Sequence, residues 1–405
     1  MSSGSRPSLV RSGGWPFLLT GAIGRMPAAM LQLGLLMYVT RSGLGIGLGG
    51  LTVAAVGLGT AAGASVVGRA ADRFGPVRVV ALAMVIQSVG LLGLMAVTTW
   101  VPSPIAILVL AGVIGAANPQ VGPIARAHWS TLARRSGQPD LIRHALGYEG
   151  ACDETSFVVG PVAASLLVGL LGPNPALWVL LVFLWVGEGL FLAFLASRGR
   201  AEREAAGKVA VAPESGSADD LRWRWVVWPL LACGSVGMVF GSTQTTVTAV
   251  NEAAGTPAMS GIVYGCMGVG SALMSVLVVR IATGLAVKIM AGGLVIAAGE
   301  LSMRMFGGTV PHAVACFTIG LGVGAVLVSG FACVERLAPA SRINYAMTLA
   351  MTALTLGISV GSAASGQLAA MDPPDGFWLG VSAGVIAIIA GLAVTRLAPE
   401  RRLRM

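Results

Sequence analysis

Gly68-Arg69-Ala70-Ala71-Asp72-Arg73-Phe74-Gly75-Pro76-Val77-Arg78 is the stretch that decides how this chain folds. It crowds three arginines and one aspartate into a short tract between two apolar runs, 44–67 and 78–98. A helix needs about 20 apolar residues to cross a bilayer core roughly 30 Å thick. A charged tract between two such runs reads as a tight turn at a membrane face. Its glycines supply the backbone freedom that such a turn needs.

The rest of the chain repeats this layout. Among 405 residues, 55% are hydrophobic, only 11% are charged, and mean hydropathy is +0.83. A soluble surface needs about 25–35% charged residues, and a disordered chain needs low hydrophobicity with high charge, so both classes are excluded. Twelve apolar runs emerge: 15–39, 44–67, 78–98, 104–126, 145–170, 175–197, 225–250, 258–279, 287–306, 309–333, 343–370 and 376–396. The expected fold is an all-α polytopic membrane protein with twelve transmembrane helices in two six-helix bundles. Residues 1–197 form the first bundle, 198–224 a hydrophilic linker, and 225–405 the second. The N-terminus is polar and basic, and the first apolar run is too long for a cleaved signal peptide.

The formal net charge of +9 has a topological meaning. With both termini in the cytoplasm, 23 of the 26 basic residues fall on the cytoplasmic side and Arg41 alone lies outside. Arg25 and Arg304 sit within spans. Such asymmetry sets orientation. The halves also repeat internally. Trp15–Arg25 and Trp228–Met238 share five of eleven positions. Gly57, Gly59, Ala61 and Arg69 recur as Gly268, Gly270, Ala272 and Arg280, and Val159-Gly160 as Val360-Gly361. Parallel repeats of this kind characterise rocking transporters.

The tract Gly68–Arg78 resembles the G-x-x-x-D-R-x-G-[RK]-[RK] loop of the major facilitator superfamily, departing from it at Pro76 and Val77. The resemblance implies a gating loop of Gly68, Asp72, Arg73, Gly75 and Arg78. Asp72 would then approach the N-terminus of the eleventh span near Arg342, where the helix dipole favours a carboxylate. The fifth span carries Gly160-Pro161 followed by Ala164-Ser165, similar to the family's G-P-x-x-G-G element. That element marks proton antiporters that export. Small residues there also serve close helix packing.

The same span begins with Glu149, Asp153 and Glu154, and the sixth contains Glu188. Acids inside a membrane are costly and usually functional. All four are candidate proton-coupling groups, able to take up and release a proton. Arg25 needs a partner, expected among Asp153, Glu154 and Glu188. Gln32, two turns on, shares its face. The family's usual arginine in the fourth span is absent, with Ala111 in its place. Further cavity candidates are Asn118 and Gln120 beside Pro119, and Gln244, Thr248 and Asn251 at helical spacing in the seventh span. Glu300 and Arg304, four residues apart, read as a structural ion pair.

No Walker loop is present, so ATP is not the expected energy source. The five cysteines and three histidines have no metal-ligand or catalytic spacing. No cofactor, metal, enzymatic activity or nucleic-acid partner is expected. The basic face matches topology and anionic lipid. The combined reading is a monomeric, multi-pass inner-membrane transporter that exports a drug or metabolite by proton antiport with alternating access. Two alternatives stand beside it. One is proton-coupled uptake of a sugar, amino acid or organic anion. The other is a receptor or lipid-handling protein that keeps the fold without pumping.

Overall fold

The structure, a computed structural model, describes residues 9–119, 121–136, 139–205, 223–338 and 342–397. Within them the chain is helical, with no strand. The first half contains α1 (Leu9–Gly13), α2 (Trp15–Gly24), α3 (Met26–Val39), α4 (Gly45–Phe74), α5 (Pro76–Trp100), α6 (Pro104–Ala116), α7 (Val121–Ser136), α8 (Pro139–Leu171) and α9 (Pro173–Ala205). The second contains α10 (Trp223–Ala253), α11 (Met259–Leu277), α12 (Leu285–Met305), α13 (Thr309–Leu337), α14 (Ile343–Met371) and α15 (Phe377–Leu397).

Eleven helical runs among the described residues are long and apolar enough to cross a membrane. The first, Trp15–Ala71, is 57 residues long. It is interrupted at Gly43 and Gly45, both with φ above +80°, a conformation glycine adopts without steric cost. Beyond that turn α4 comes back alongside α3. A side chain at Gly49 would begin 3.0 Å from Leu36 Cδ1. Two expected spans are themselves broken. The first divides at Arg25, where Pro27 cannot donate to the helical ladder. The fourth divides at Ala117–Pro119, between α6 and α7.

The internal repeat reappears in the packing. Gly115 of α6 lies against the backbone of Val56 on α4, and Gly320 of α13 lies against Met267 on α11. Gly59 meets Gly112, and Gly270 meets Phe317. In lipid, small residues let helices approach until backbone touches backbone. Each half has its own apolar core. One is built on Leu35, Leu91, Ile107 and Leu184, the other on Val236, Ile289, Ile319 and Val323.

The halves meet along α4–α14 and α8–α11. Gly50 packs on Ser362 and Gly366, and Gln367 Nε2 donates to the Gly47 carbonyl at 3.1 Å. Ser165 Oγ donates to the Ala258 carbonyl at 3.0 Å. An apolar cluster also joins them, in which Leu36, Val53 and Val168 pack with Ala249 and Ala369. These contacts gather at the end of the molecule that carries the Gly43–Gly45 turn. Toward the opposite end, a side chain begun at Gly68, Gly147 or Gly150 would meet nothing within 4 Å.

Candidate functional site

Three helix segments converge on Arg25. The residue sits at the break between α2 and α3 and is 6% exposed. Its guanidinium pairs with the Glu149 carboxylate, donates to the Glu149 carbonyl at 3.4 Å, and lies 3.4 Å from Asp153 Oδ1. Trp129 Nε1 donates to the other Glu149 oxygen at 2.8 Å. Arg126 pairs with the second Asp153 oxygen. Two arginines and two carboxylates thus tie α2, α7 and α8 together, with charges balanced one to one. A buried charge is tolerated only when paired and hydrogen-bonded.

The sequence leads to part of this cluster. Asp153 is a partner of Arg25 as expected, and Glu149 joins it. Glu154 and Glu188 do not. Glu154 is exposed, one residue around the helix from Asp153. Glu188 on α9 is 1% exposed, and its Oε2 has no hydrogen-bond partner among the described residues. Arg126 and Trp129 carry no such signal in the sequence, because α7 beyond the expected fourth span reads by composition as a cytoplasmic loop. Their spacing to α8 is a tertiary property with no local signal.

The remaining polar candidates are spread out. Gln32 and Asn118 are half-buried, and Gln120 lies outside the described residues. α10 is unbroken through its polar run, and Gln244, Thr248 and Asn251 are buried within it. Thr248 donates to the Gln244 carbonyl and Asn251 to that of Val247, each at 2.8 Å. Glu300 and Arg304 do not pair. Arg304 turns to Asp375 at 3.0 Å, beyond the end of α12. Glu300 is fully buried and accepts a hydrogen bond from Thr243 on α10. The missing side chain of Gly380 makes room for it, since a Cβ there would lie 2.6 Å from Glu300 Oε2.

In the Gly68–Arg78 tract, Gly75 has φ +87° and ends α4. Arg73 and Arg78 are exposed, and Arg73 lies over the Phe74 ring at 5.2 Å. Asp72 falls in the last turn of α4, and its side chain lies outside the described residues. Gly160 and Pro161 sit inside α8, where a Cβ on Gly160 would come within 2.7 Å of that of Ala29 on α3. Beside this contact a cavity of about 340 Å³ opens between two walls. Ala22, Ile23 and Met26 line one side, and Tyr148, Ala151, Cys152, Thr155 and Ser156 of α8 line the other.

The family model of the Major Facilitator Superfamily matches residues 17–362. The chain belongs to this superfamily. Solved structures of superfamily proportions agree with it in fold. A crystal structure of the nucleoside transporter NupG is 16% identical, covering 94% of this chain and 98% of its own, with a TM-score of 0.68. The peptide transporter POT in complex with sulfate is also 16% identical, covering 96% and 95%, with a TM-score of 0.69. At these identities the likeness is one of fold. No curated protein sequence matches the chain. Membership makes this chain a multi-pass membrane protein of a transporter superfamily whose members carry small molecules.

Proposed function

We propose that this superfamily member is a secondary transporter that exports a small organic molecule across the inner membrane in exchange for protons. The observation that carries the reading is the Arg25–Glu149–Asp153–Arg126 cluster. A carboxylate that holds two arginines from two other helix segments is a natural coupling device. Protonating Asp153 removes the negative charge shared by Arg25 and Arg126 and changes how α2 and α7 are held against α8. A ligand shifts a conformational equilibrium only through such a differential interaction. Glu149, Glu154 and Glu188 are further carriers within reach of the same bundle.

The topology of the proposal is twelve crossings with both termini cytoplasmic and bundles 1–197 and 225–405 joined through 198–224. A continuous 57-residue helix would be about 85 Å long, far beyond one crossing, so the break at Gly43–Gly45 is read as a return. The distribution of basic residues supports the orientation. In that orientation the contacts between the halves at Gly47–Gln367 and Ser165–Ala258 lie on the outer side, the side that closes in an inward-facing state of alternating access.

Export is supported by the Gly160–Pro161 element and its tight contact with α3. The charge of Arg25 is spent on Glu149 and Asp153, so it offers no free counter-charge to an organic anion taken up by symport.

Reconstitution in liposomes tests the function. A panel of uncharged, cationic and anionic organic compounds is assayed under proton gradients of either sign. Gradient-driven movement of compound against proton flow is expected. Accumulation together with protons would replace export by uptake, and indifference to every ion gradient would remove the coupling.

A further inference from the structure

The cavity between α2–α3 and α8 has a chemical character that the polar candidates do not predict. Its walls include three hydroxyls, and each hydroxyl hydrogen is already donated within the protein. Tyr148 donates to the Leu18 carbonyl at 2.7 Å, Thr155 to that of Ala151 at 2.8 Å, and Ser156 to that of Cys152 at 2.8 Å. The rest of the lining is Ala22, Ile23, Met26, Ala151 and the Cys152 thiol. Four charged residues are sequence neighbours of this lining, Arg25, Glu149, Asp153 and Glu154, yet none is part of it. Arg25, Glu149 and Asp153 are turned to the ion-pair cluster, and Glu154 lies on another, exposed face of α8.

Among the described residues, no charged side chain and no free hydroxyl hydrogen therefore lines the cavity. An anion would find no counter-charge there, and a cation no carboxylate. A charged group placed against such a wall loses hydration with no counter-charge in return, and a hydrogen-bond acceptor finds no donor hydrogen there. An apolar group leaves water at no such cost and gains with its buried area. About 340 Å³ falls within the range of small-molecule pockets.

Building on the transport reading, we infer that this cavity is the subsite for an uncharged, apolar moiety of the transported molecule, an aromatic or branched aliphatic group. The ion-pair cluster stands behind the wall and senses protons without touching that moiety. Any polar end of the molecule must be recognised elsewhere. Ala22 and Ala151 set the depth of the subsite, since each keeps its wall short.

Cys152 reports on the cavity without any variant. The native protein in liposomes is treated with three maleimides of similar size that carry a benzyl, a carboxylate or a trimethylammonium group. Modified cysteines are located by mass spectrometry. Half-buried Cys266 on α11, outside the cavity, corrects for reagent dissolved in the bilayer. The benzyl reagent is expected to modify Cys152 over Cys266 with a preference roughly tenfold above either charged reagent, the factor given by burying about two methylene equivalents. Ala151→Trp should abolish that preference by filling the space, and Ala22→Leu should reduce it. Equal preference for the three reagents, or a preference unchanged in Ala151→Trp, overturns the inference. Labelling needs no gradient and no turnover, so its result is separable from that of the transport assay. A selective cavity in a protein that moves nothing would leave the subsite and remove the transport reading. Gradient-driven export with no selectivity at Cys152 would do the reverse.

Discussion

Arg41 and Glu252 stand 3.8 Å apart across the two halves of the molecule, one in the turn after α3 and the other near the end of α10. Both side chains are partly exposed, so the pair is a light latch. It closes the same end at which Gln367 bonds Gly47 and Ser165 bonds Ala258. A half-exposed ion pair contributes about 0.2–1 kcal/mol. Arg41→Ala should therefore shift the balance toward opening at this end by up to roughly fivefold. Distances between spin labels placed on the two halves near Gly47 and Gln367 check this. The double variant Arg41→Ala/Glu252→Ala should shift no further than either single one. Additive shifts would mean that the two residues act apart.

Arg25 and Glu149 behave differently because both are buried. Removing Arg25 strands the Glu149 charge, which costs about 3–5 kcal/mol, whereas removing the Glu149 charge leaves Arg25 with Asp153. Arg25→Met should lower the melting temperature of the purified protein markedly, and Glu149→Gln should lower it less. The combined variant should recover much of the loss, because no unpaired charge remains. A double variant no more stable than the worse single one would argue against this account.

Asp153 separates coupling from folding. Asp153→Asn keeps the size of the side chain and its oxygen acceptor but cannot change charge. Arg25 retains Glu149, so the protein should fold. Proton flux driven by substrate should fall to background while substrate binding persists. Unchanged proton flux in Asp153→Asn and in Glu154→Gln would move the coupling site to Glu149 or Glu188.

Gly115 and Gly320 carry the pseudo-symmetry of the packing. A side chain at either would press on the backbone of the adjacent helix, at Val56 or Met267. Overpacking of this kind costs about 1–3 kcal/mol. Gly115→Val and Gly320→Val should destabilise by similar amounts in thermal unfolding. Gly147→Ala should be close to neutral, since its neighbourhood is open.

Glu300 shows where local spacing misleads. Four residues separate it from Arg304, and helical geometry alone would pair them. Arg304 lies at the last turn of α12, within reach of Asp372 and Asp375 beyond the helix end. An ion pair near the surface costs less desolvation than one in the core. Glu300 is left to Thr243 and to the space at Gly380, contacts 57 and 80 positions away in the chain. Arg126 makes the same point from the other side. It reads as one basic residue among several in a polar segment, and only the fold brings it to Asp153.

The sequence by itself determined the class, the apolar runs, the half-length repeat and the superfamily. Each follows from local composition or from order along the chain. Hydrocarbon admits only segments that satisfy their own backbone, so the positions of the apolar runs are dictated residue by residue. The short list of intramembrane charges was legible for the same reason, since scarcity makes each one conspicuous. The tertiary structure alone decided the partners: Glu149 and Asp153 for Arg25, Arg126 for Asp153, Glu252 for Arg41, and Thr243 for Glu300. It also decided that the cavity wall is apolar although charged residues flank it in sequence. Helix rotation and long-range packing choose which face of a helix meets which neighbour, and neither is written in any single segment.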